Sequence, residues 1–340
     1  MNCIYRAGVI GLGKIGMLYD FEAKRPHPSS HVYAYLMNPQ FKLVCVCDYD
    51  ESKKTVLKGV SHDTEFFQDL DSFIEVYKEQ RLDVVSICTP PKSHLDIVRK
   101  LIQNRVCEVI FCEKPLVSDL HEAKKLTELL EDNPQILVIP NISRRWNRGL
   151  QAVTDDIIQK RFGELEKINI RYTRGIYNTG AHLFDLLNMW TQDPIKTVFY
   201  LGTTATSAEP EKSFSFYFIT QRGINGYAEA IDDAHYYIFD IDLYFTGGKI
   251  EFRNSGDDLF RYTINKHHLF EGFNELSLAE ARHNLLRDSC LENAVNNTYG
   301  VLSGDDHAYC SYKDAIYPLR VAEALIKSKM TEKKENVKNG

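Results

Sequence analysis

The 340-residue sequence lacks several features that mark particular classes of protein. No apolar run approaches the ~20 residues that a transmembrane helix needs, so we expect no membrane partner. The eight cysteines form no Cys-x-x-Cys pair and no metal-type spacing, which argues against a bound metal and against a disulfide framework. Basic residues are not in excess, because the net charge is -6, and this argues against nucleic-acid binding. No signal peptide is visible, and these observations together predict a cytoplasmic protein.

The length and the pattern of the sequence predict two domains of different architecture. Over residues 1–141, strand-like runs alternate regularly with helices, which predicts an α/β fold with a doubly wound parallel Rossmann sheet. Residues 142–330 predict an α+β domain with a large, mostly antiparallel sheet that is open on one face. Helices are expected at 277–296 and 312–329, and the second is a candidate to pack back on the first domain. Residues 331–340 are highly charged and are expected to be frayed.

Aromatic residues are concentrated in the strand-like runs of the second domain, and two interpretations stay open. They form the core of the sheet, or they cover a dimer face, since a sheet with two apolar faces needs a second cover. The residues concerned are Phe214, Phe216, Tyr217, Phe218, Tyr236, Tyr237, Tyr244 and Phe245.

A glycine-rich motif follows the first predicted strand and predicts a dinucleotide site. It reads Gly11, Leu12, Gly13, Lys14, Ile15, Gly16. Glycines permit the tight turn and let the backbone approach a pyrophosphate, and the alternative is a turn that serves packing only. Asp48 ends the second strand, where its carboxylate would accept hydrogen bonds from a ribose and repel a 2′-phosphate, so NAD is favoured over NADP. The spacing from Gly11 to Asp48 exceeds the usual ~20 residues, and a proline-containing insertion at 18–31 accounts for the excess.

Two further strand ends in the first domain carry candidate site residues. Thr89 and Pro90 close the third strand and predict a rigid wall beside the cofactor, although they also suit a plain strand end. His94 follows, as a cofactor-lining residue or as a surface histidine. Glu113 and Lys114 precede a proline directly after a buried strand, which predicts an ammonium group at the edge of a cleft near the nicotinamide. The alternative is a surface ion pair of Lys114 with Glu113.

A third group of residues lies in the second domain, around Asn178 and His182. If residues 180–190 are helical, His182 and Asp185 lie on the same face, and Asn178 meets His182 at the start of the helix. A histidine exchanges protons with an alcohol near neutral pH, so His182 is a candidate acid or base, with a structural histidine as the alternative.

At these motifs the chain resembles the glucose–fructose oxidoreductase and inositol dehydrogenase family, known as Gfo/Idh/MocA. The resemblance implies a Rossmann domain, an α/β domain with a large open sheet, and a homodimer or homotetramer built on that sheet. It also implies that Lys114 is the catalytic lysine and that His182 is the acid or base. The family often has aspartate where this chain has Asn178, which can orient a hydroxyl but cannot accept a proton. With asparagine at this position, the chain resembles the branch of the family that acts on nucleotide-linked sugars, including members encoded with surface-polysaccharide genes.

Additional substrate contacts are expected from Tyr177, beside Asn178, and from Arg145 and Trp146, where the chain enters the second domain. Arginine suits bidentate binding of phosphate or carboxylate, and an interdomain salt bridge is the alternative for Arg145. Together these residues predict an NAD(H)-dependent oxidoreductase acting on a sugar or sugar derivative. Two other classes stay open: an NAD-dependent hydrolase or lyase that recycles its cofactor, and a non-catalytic NAD-binding regulatory protein.

Overall fold

The computed structural model describes residues 3–204 and 212–338, and these form two compact units. The first contains the residues up to Trp146 together with Ser289–Ile316, and the second contains Asn147–Asp288 and the residues from Tyr317 onwards. The sequence-based boundaries of 1–141 and 142–330 therefore differ from the structure at both ends of the second unit.

The first unit is built on a parallel sheet whose strand order is β3-β2-β1-β4-β5-β6. This is the doubly wound Rossmann order, as predicted. Its strands are β1 Tyr5–Ile10, β2 Phe41–Cys47, β3 Glu65–Phe67, β4 Leu82–Ile87, β5 Cys107–Glu113 and β6 Leu137–Asn141. Its helices up to this point are α1 His31–Met37, α2 Ser52–Lys58, α3 Leu70–Gln80, α4 His94–Gln103 and α5 Leu120–Glu131. The strands are apolar on both faces because helices cover both sides, so they form near-continuous hydrophobic runs.

The second unit is built on a mostly antiparallel sheet covered by helices on one face. Its strands are β7 Leu165–Tyr172, β8 Ile195–Thr204, β9 Ser213–Thr220, β10 Asn225–Ala230, β11 Phe239–Phe245, β12 Gly248–Arg253, β13 Asp258–Lys266 and β14 Asn274–Arg282. Helices α6 Arg148–Ile158 and α7 Gly180–Thr191 contribute to the same core as the sheet. Strands β7 and β10 pair in parallel, and the other described pairings in this sheet are antiparallel.

The end of the chain contains helices α8 Cys290–Ser303 and α9 Tyr312–Thr331 and the short strand β15 Glu335–Asn336. Helix α8 belongs to the first unit, where Leu291, Ala294 and Val295 enter the core. Most of α9 belongs to the second unit, so it is α8, rather than the predicted helix 312–329, that lies wholly with the Rossmann sheet. Strand β15 extends the sheet order to β14-β13-β12-β11-β7-β10-β9-β8-β15.

Two sequence-based predictions about this region were wrong. The predicted helix 277–296 is replaced by strand β14 and, after a loop, by α8. Leu276 and Leu278 of β14 alternate with polar residues and pair with β13, and this pairing overrides the helix propensity of the Glu, Leu and Ala residues. The tail is not frayed as far as residue 338, because β15 pairs with β8 and the side chain of Val337 is buried.

The aromatic residues of the second sheet divide between its two faces. Phe214, Phe216, Phe218 and Phe245 are buried in the core beneath the helices. Side chains alternate along a strand, so Tyr217 and Tyr244 lie on the opposite face, which the helices of this unit leave open. The sheet-core interpretation is therefore correct for these phenylalanines.

Candidate active site

The carboxyl ends of β1, β4 and β5 lie side by side at one edge of the parallel sheet. The strand order reverses between β1 and β4, and ligands of such sheets bind outside the strand ends at this switch point. Gly11 follows β1, Thr89 lies just after β4, and Lys114 follows β5. The fold therefore brings the glycine motif, the Thr89-Pro90 corner and Lys114 to one edge of the first unit.

The three glycines of the motif have different physical roles. Gly11 has φ +93°, and a Cβ there would lie 2.8 Å from the Cys88 carbonyl carbon. A Cβ on Gly16 would lie only 1.9 Å from the Gly11 carbonyl oxygen, so this close approach requires glycine. Gly13 is exposed, and a Cβ there would meet no protein atom within 4 Å. Gly11 and Gly16 thus require glycine for the turn itself, and Gly13 borders open space.

Asp48 holds the glycine motif through its carboxylate. Its Oδ2 accepts a hydrogen bond from the Leu12 amide at 2.6 Å, and its Oδ1 accepts one from the Asp50 amide at 2.9 Å. Each carboxylate oxygen has a second lone pair, so both can also accept from a ribose hydroxyl. The Asp50 side chain adds a second negative group close by, which disfavours a 2′-phosphate.

The insertion predicted at 18–31 separates a helical turn at the glycine motif from helix α1. The amides of His31 and Val32 donate to the carbonyls of Ile15 and Gly16, at 3.0 and 2.9 Å. These are the bonds that Tyr19 and Asp20 would make in an uninterrupted helix, so residues 19–30 are looped out. The buried Asp20 carboxylate closes the loop by accepting from the Ser29 amide and the Ser30 hydroxyl. The hydrogen bonding of the turn thus continues in α1, whose first residue is His31.

Glu113 is directed into the sheet edge. Its Oε1 accepts from His31 Nε2 at 2.9 Å and from Asn141 Nδ2 at 2.6 Å, and its side chain is only 12% exposed. This environment differs from the surface ion pair considered for Glu113 and Lys114. Lys114 is half-buried, and its peptide bond to Pro115 is cis.

His94 is not the site-lining or surface residue that the sequence predicts. Its side chain is fully buried, with Nδ1 3.0 Å from the Pro115 carbonyl oxygen and Nε2 2.7 Å from the Thr89 carbonyl oxygen. Both ring nitrogens are occupied by backbone groups, so His94 supports the two loops rather than contacting a cofactor. Thr89 is half-buried and Pro90 is exposed, which is compatible with the predicted wall.

Arg145 and Trp146 are also placed differently from the prediction. Arg145 is buried, donates to the Tyr309 carbonyl at 2.8 Å, and pairs with Asp314 at 3.2 Å, all within the first unit. Trp146 is fully buried and stacks on the Tyr309 ring. These described contacts hold both side chains inside the Rossmann unit.

Asn178 and His182 lie in the second unit at the junction of two helix types. Gly175–Thr179 form a π-helical turn that leads directly into α7. The turn begins with two residues at positive φ, Arg174 at 66° and Gly175 at 81°, and the Gly175 amide donates to Ser213 Oγ at 2.8 Å. Such π turns occur frequently at functional sites.

The side chains of this junction differ in exposure. Asn178 and His182 are both half-buried, whereas Asp185 is fully buried and therefore belongs to the core. Tyr177 is exposed, and its hydroxyl donates to Glu323 at 3.1 Å. Asn178, His182 and Tyr177 are thus polar side chains of this junction that reach the surface at least in part.

Sequence reasoning missed three residues around Glu113: His31, Ser86 and Asn141. In the sequence, His31 is only the last residue of the predicted insertion 18–31. With residues 19–30 removed, however, it would lie three positions after Gly16, on the motif's own helix. The contacts of Ser86 and Asn141 depend on the pairing of separate strands, and no local pattern indicates them.

One group of side chains contains residue types that bind metals, but its hydrogen bonding does not suit a metal ion. His267, His268 and Glu275 bring ligand atoms within 4.8 Å of one another on the β13–β14 hairpin. His267 Nδ1 accepts from the amides of Leu269 and Phe270, at 3.1 Å each, so its proton lies on Nε2. A metal at Nε2 would leave both ring nitrogens without a proton, whereas metal-bound histidines normally donate from the second nitrogen. We therefore assign no metal to these three residues.

The fold and the glycine motif define a two-unit protein with an NAD-binding Rossmann domain. The Gfo/Idh/MocA model, described as an oxidoreductase family with an NAD-binding Rossmann fold, matches residues 5–140. These residues, which make up the Rossmann sheet of the first unit, are similar to that family.

Curated relatives resemble parts of the chain at low sequence identity. Inositol 2-dehydrogenase of Rhizobium meliloti is 26% identical over 165 residues, which cover 48% of this chain and 44% of the relative. The scyllo-inositol 2-dehydrogenase (NAD(+)) of Bacillus subtilis is 31% identical over 127 residues, covering 37% of this chain and 32% of the relative. The matches thus span less than half of the length of these two curated relatives.

Structural similarity extends over the whole chain but shows the fold alone. The super-repressor mutant of Gal80p from Saccharomyces cerevisiae superposes with a TM-score of 0.78 at 15% identity, covering 99% of both chains. Within residues 3–204 and 212–338, no helix combines the length and the apolar character needed to cross a membrane.

Proposed function

We propose that this NAD-binding oxidoreductase transfers hydride between nicotinamide and a hydroxyl or carbonyl carbon of a sugar or sugar derivative. The observation that carries the proposal is the placement of Lys114 at the carboxyl end of β5, on the same sheet edge as the open glycine turn. The inositol dehydrogenases among the relatives support a polyhydroxylated substrate.

Each proposed site residue has a distinct task. NAD supplies the hydride acceptor or donor, and the protein supplies binding and orientation. The backbone around Gly13 receives the pyrophosphate, with Asp48 on the adenosine ribose. Lys114 holds the reacting hydroxyl through its ammonium group, and Asn178 orients the substrate by hydrogen bonding. His182 takes the proton in the oxidative direction and returns it in the reductive one.

Replacement of Lys114 by methionine tests the catalytic assignment. Methionine keeps most of the side-chain length but removes the ammonium group, so we expect NAD to remain bound and turnover to be lost. The exposed Lys125 on α5 provides the matched control, since Lys125→Met removes a lysine away from the strand ends. Substantial turnover in the Lys114→Met variant, measured by NADH absorbance, would refute the role of Lys114.

A nucleotide sugar is the substrate class that we propose first, because Asn178 stands where the family resemblance implies that aspartate is frequent. A thermal-shift screen of the NAD-loaded protein against nucleotide sugars, free sugars and inositols tests this choice, since a bound ligand stabilises the folded state. Compounds that bind are then assayed for hydride transfer. A preference for free polyols would contradict the nucleotide-sugar proposal.

The same screen separates the other classes of function. Tightly bound NAD with substrate turnover but no net release of NADH would indicate a hydrolase or lyase that recycles its cofactor. NAD binding without hydride transfer to or from any ligand would support a regulatory protein.

We further propose that the protein forms a homodimer or homotetramer through the open face of its second sheet. An apolar stripe on this face supports the proposal: Ile264 pairs with Leu276 across β13 and β14, and Leu278 is 56% exposed beside Tyr262. Leu278→Glu should lower the mass measured by light scattering after gel filtration. Leu286→Glu, at an exposed position outside the sheet, is the control. An unchanged mass for Leu278→Glu would exclude this stripe from the interface.

A cytoplasmic location is also proposed, supported by the eight cysteines, none of which forms a disulfide in the described part of the chain. Cell fractionation with an antibody against the protein tests it. Recovery of the protein outside the cytoplasmic fraction would contradict the proposal.

A further inference from the structure

Five polar side chains form a continuous chain beneath Lys114 in the first unit. Glu113 Oε1 accepts from Asn141 Nδ2 and lies 2.9 Å from His31 Nε2. His31 Nδ1 lies 2.9 Å from Ser86 Oγ, and Ser86 Oγ lies 2.9 Å from the Tyr35 hydroxyl. These residues come from β5, β6, α1 and β4, so the chain ties four elements together at the sheet edge.

The chemistry of the carboxylate fixes the direction of the hydrogen bond between Glu113 and His31. As a carboxylate, Glu113 can only accept, so His31 donates to it from Nε2. One arrangement that satisfies the remaining groups has His31 Nδ1 accepting from the Ser86 hydroxyl and the Ser86 oxygen accepting from the Tyr35 hydroxyl.

This chain is not a path for protons to solvent. Tyr35, Ser86 and His31 are each fully buried, and the chain ends at Tyr35. Burial also raises the pKa of the Tyr35 hydroxyl, so Tyr35 keeps its proton. A hydrogen-bonded chain that ends at a buried hydroxyl can hold its side chains in place but does not carry protons to solvent.

The segment after Lys114 is held from the other side by a second buried histidine. His94 contacts the carbonyl oxygens of Pro115 and Thr89, so it links the β5 loop to the β4 loop. Lys114 is therefore flanked by two residues, Glu113 and Pro115, that buried histidines hold from different helices. The Lys114 backbone has little freedom to move between these supports.

We propose that His31 is a positioning residue for Lys114, acting through Glu113. Because residues 19–30 are looped out, His31 at the start of α1 continues the helical hydrogen bonding of the glycine motif. Helix α1 therefore also supports the end of β5, where Lys114 lies. Loss of this brace would let the Lys114 ammonium drift from the reacting hydroxyl, and a misplacement of about 1 Å can cost ~100-fold in rate. The inference rests on the proposed dehydrogenase function for its kinetic readout.

Replacing His31 by glutamine or by asparagine distinguishes the loss of its hydrogen bond to Glu113 from a general change in packing. The glutamine amide reaches the position of Nε2 and can donate to Glu113, whereas the shorter asparagine amide reaches only the position of Nδ1. We expect His31→Asn to lower kcat by roughly 10- to 100-fold with NAD affinity nearly unchanged, and His31→Gln to recover most of the rate. Equal rates for His31→Asn and the parent, or equal losses in both variants, would overturn the proposal.

Glu113 variants provide a second test should His31→Asn fail to fold. Glu113→Gln retains an oxygen that accepts from His31, whereas Glu113→Ala removes it. The proposal expects a much larger fall in kcat for alanine than for glutamine. Equal falls would show that the charge of Glu113, rather than its position, matters, and this would overturn the positioning role.

A measurement without turnover keeps the inference testable if the proposed function fails. Reductive methylation with ¹³C-formaldehyde gives each lysine an NMR signal, and the Lys114 signal is the one missing from Lys114→Met. A braced Lys114 should give one sharp signal in the parent and in His31→Gln, and a broadened or shifted one in His31→Asn. An identical Lys114 signal in all three proteins would refute the brace, whatever reaction the protein catalyses.

Discussion

Alanine substitutions at Gly13 and Gly16 should distinguish a glycine that NAD binding requires from a glycine that the fold requires. Gly13→Ala places a Cβ where no protein atom lies within 4 Å, in the open part of the glycine motif. Gly16→Ala places a Cβ 1.9 Å from the Gly11 carbonyl oxygen. The first methyl group would meet the bound pyrophosphate, and the second would meet the protein itself. Gly202→Ala in β8 is the control, since its Cβ also meets nothing within 4 Å.

The expected magnitudes follow from these contacts. Gly13→Ala should change the free energy of unfolding by less than about 0.5 kcal/mol, as surface substitutions usually do. Its dissociation constant for NAD should rise at least tenfold, which corresponds to ~1.4 kcal/mol. The 1.9 Å approach in Gly16→Ala forces backbone movement, and overpacking of this kind costs about 3 kcal/mol or more. At about 2–4 °C for each kcal/mol, its Tm should fall by roughly 6–12 °C.

Calorimetric titration with NAD and thermal unfolding without NAD provide the two measurements. Gly202→Ala should match the parent in both. Parent-like NAD affinity in Gly13→Ala would refute the reasoning that the backbone at this position approaches the pyrophosphate. Parent-like stability in Gly16→Ala would show that the turn can relax around a methyl group.

Three further predictions follow from individual side chains. Asp48→Ala should weaken NAD binding by about 10- to 100-fold, the range for one hydrogen bond to a charged group, and should reduce the preference for NAD over NADP in fluorescence titrations. Asn178→Asp should move the rise of the rate–pH profile to higher pH, since a nearby carboxylate favours protonated His182; an unchanged profile would exclude a special role for Asn178. Burial, reinforced by the Glu113 charge, raises the pKa of the Cys88 thiol well above its usual value, so at pH 8 a thiol reagent should label the exposed Cys3 first. Rapid labelling of Cys88 in the folded protein would contradict this.

The Rossmann sheet could be predicted from the sequence because its signals are local. Each strand is a short apolar run, each is followed by a helical pattern, and the glycine motif lies where the first strand ends. Strand β14 could not be predicted in this way, because Asn274–Arg282 is rich in helix-forming residues and becomes a strand only by pairing with β13. The same holds for Glu335–Asn336, whose charged sequence indicates disorder until β8 is available as a partner.

The candidate site was only partly predictable for a related physical reason. Gly13, Asp48 and Lys114 follow strand ends, and the carboxyl ends of parallel strands share one sheet edge. Arg145, Trp146 and His94 have the residue types of a binding site, but their burial is decided by packing against segments distant in sequence. Arg145 pairs with Asp314, far along the chain, and no local pattern indicates that contact.

The sequence by itself determined the strand-and-helix alternation, the glycine turn and the strand-end position of Lys114, because each depends on neighbouring residues. Only the tertiary structure decided that Glu113 points inward to His31 and Asn141. That arrangement needs α1 to continue the helical hydrogen bonding of the glycine motif across the loop 19–30. It also needs β5 and β6 to be paired so that Glu113 and Asn141 lie opposite each other. Hydrogen bonds between residues separated by tens of positions depend on the folded geometry.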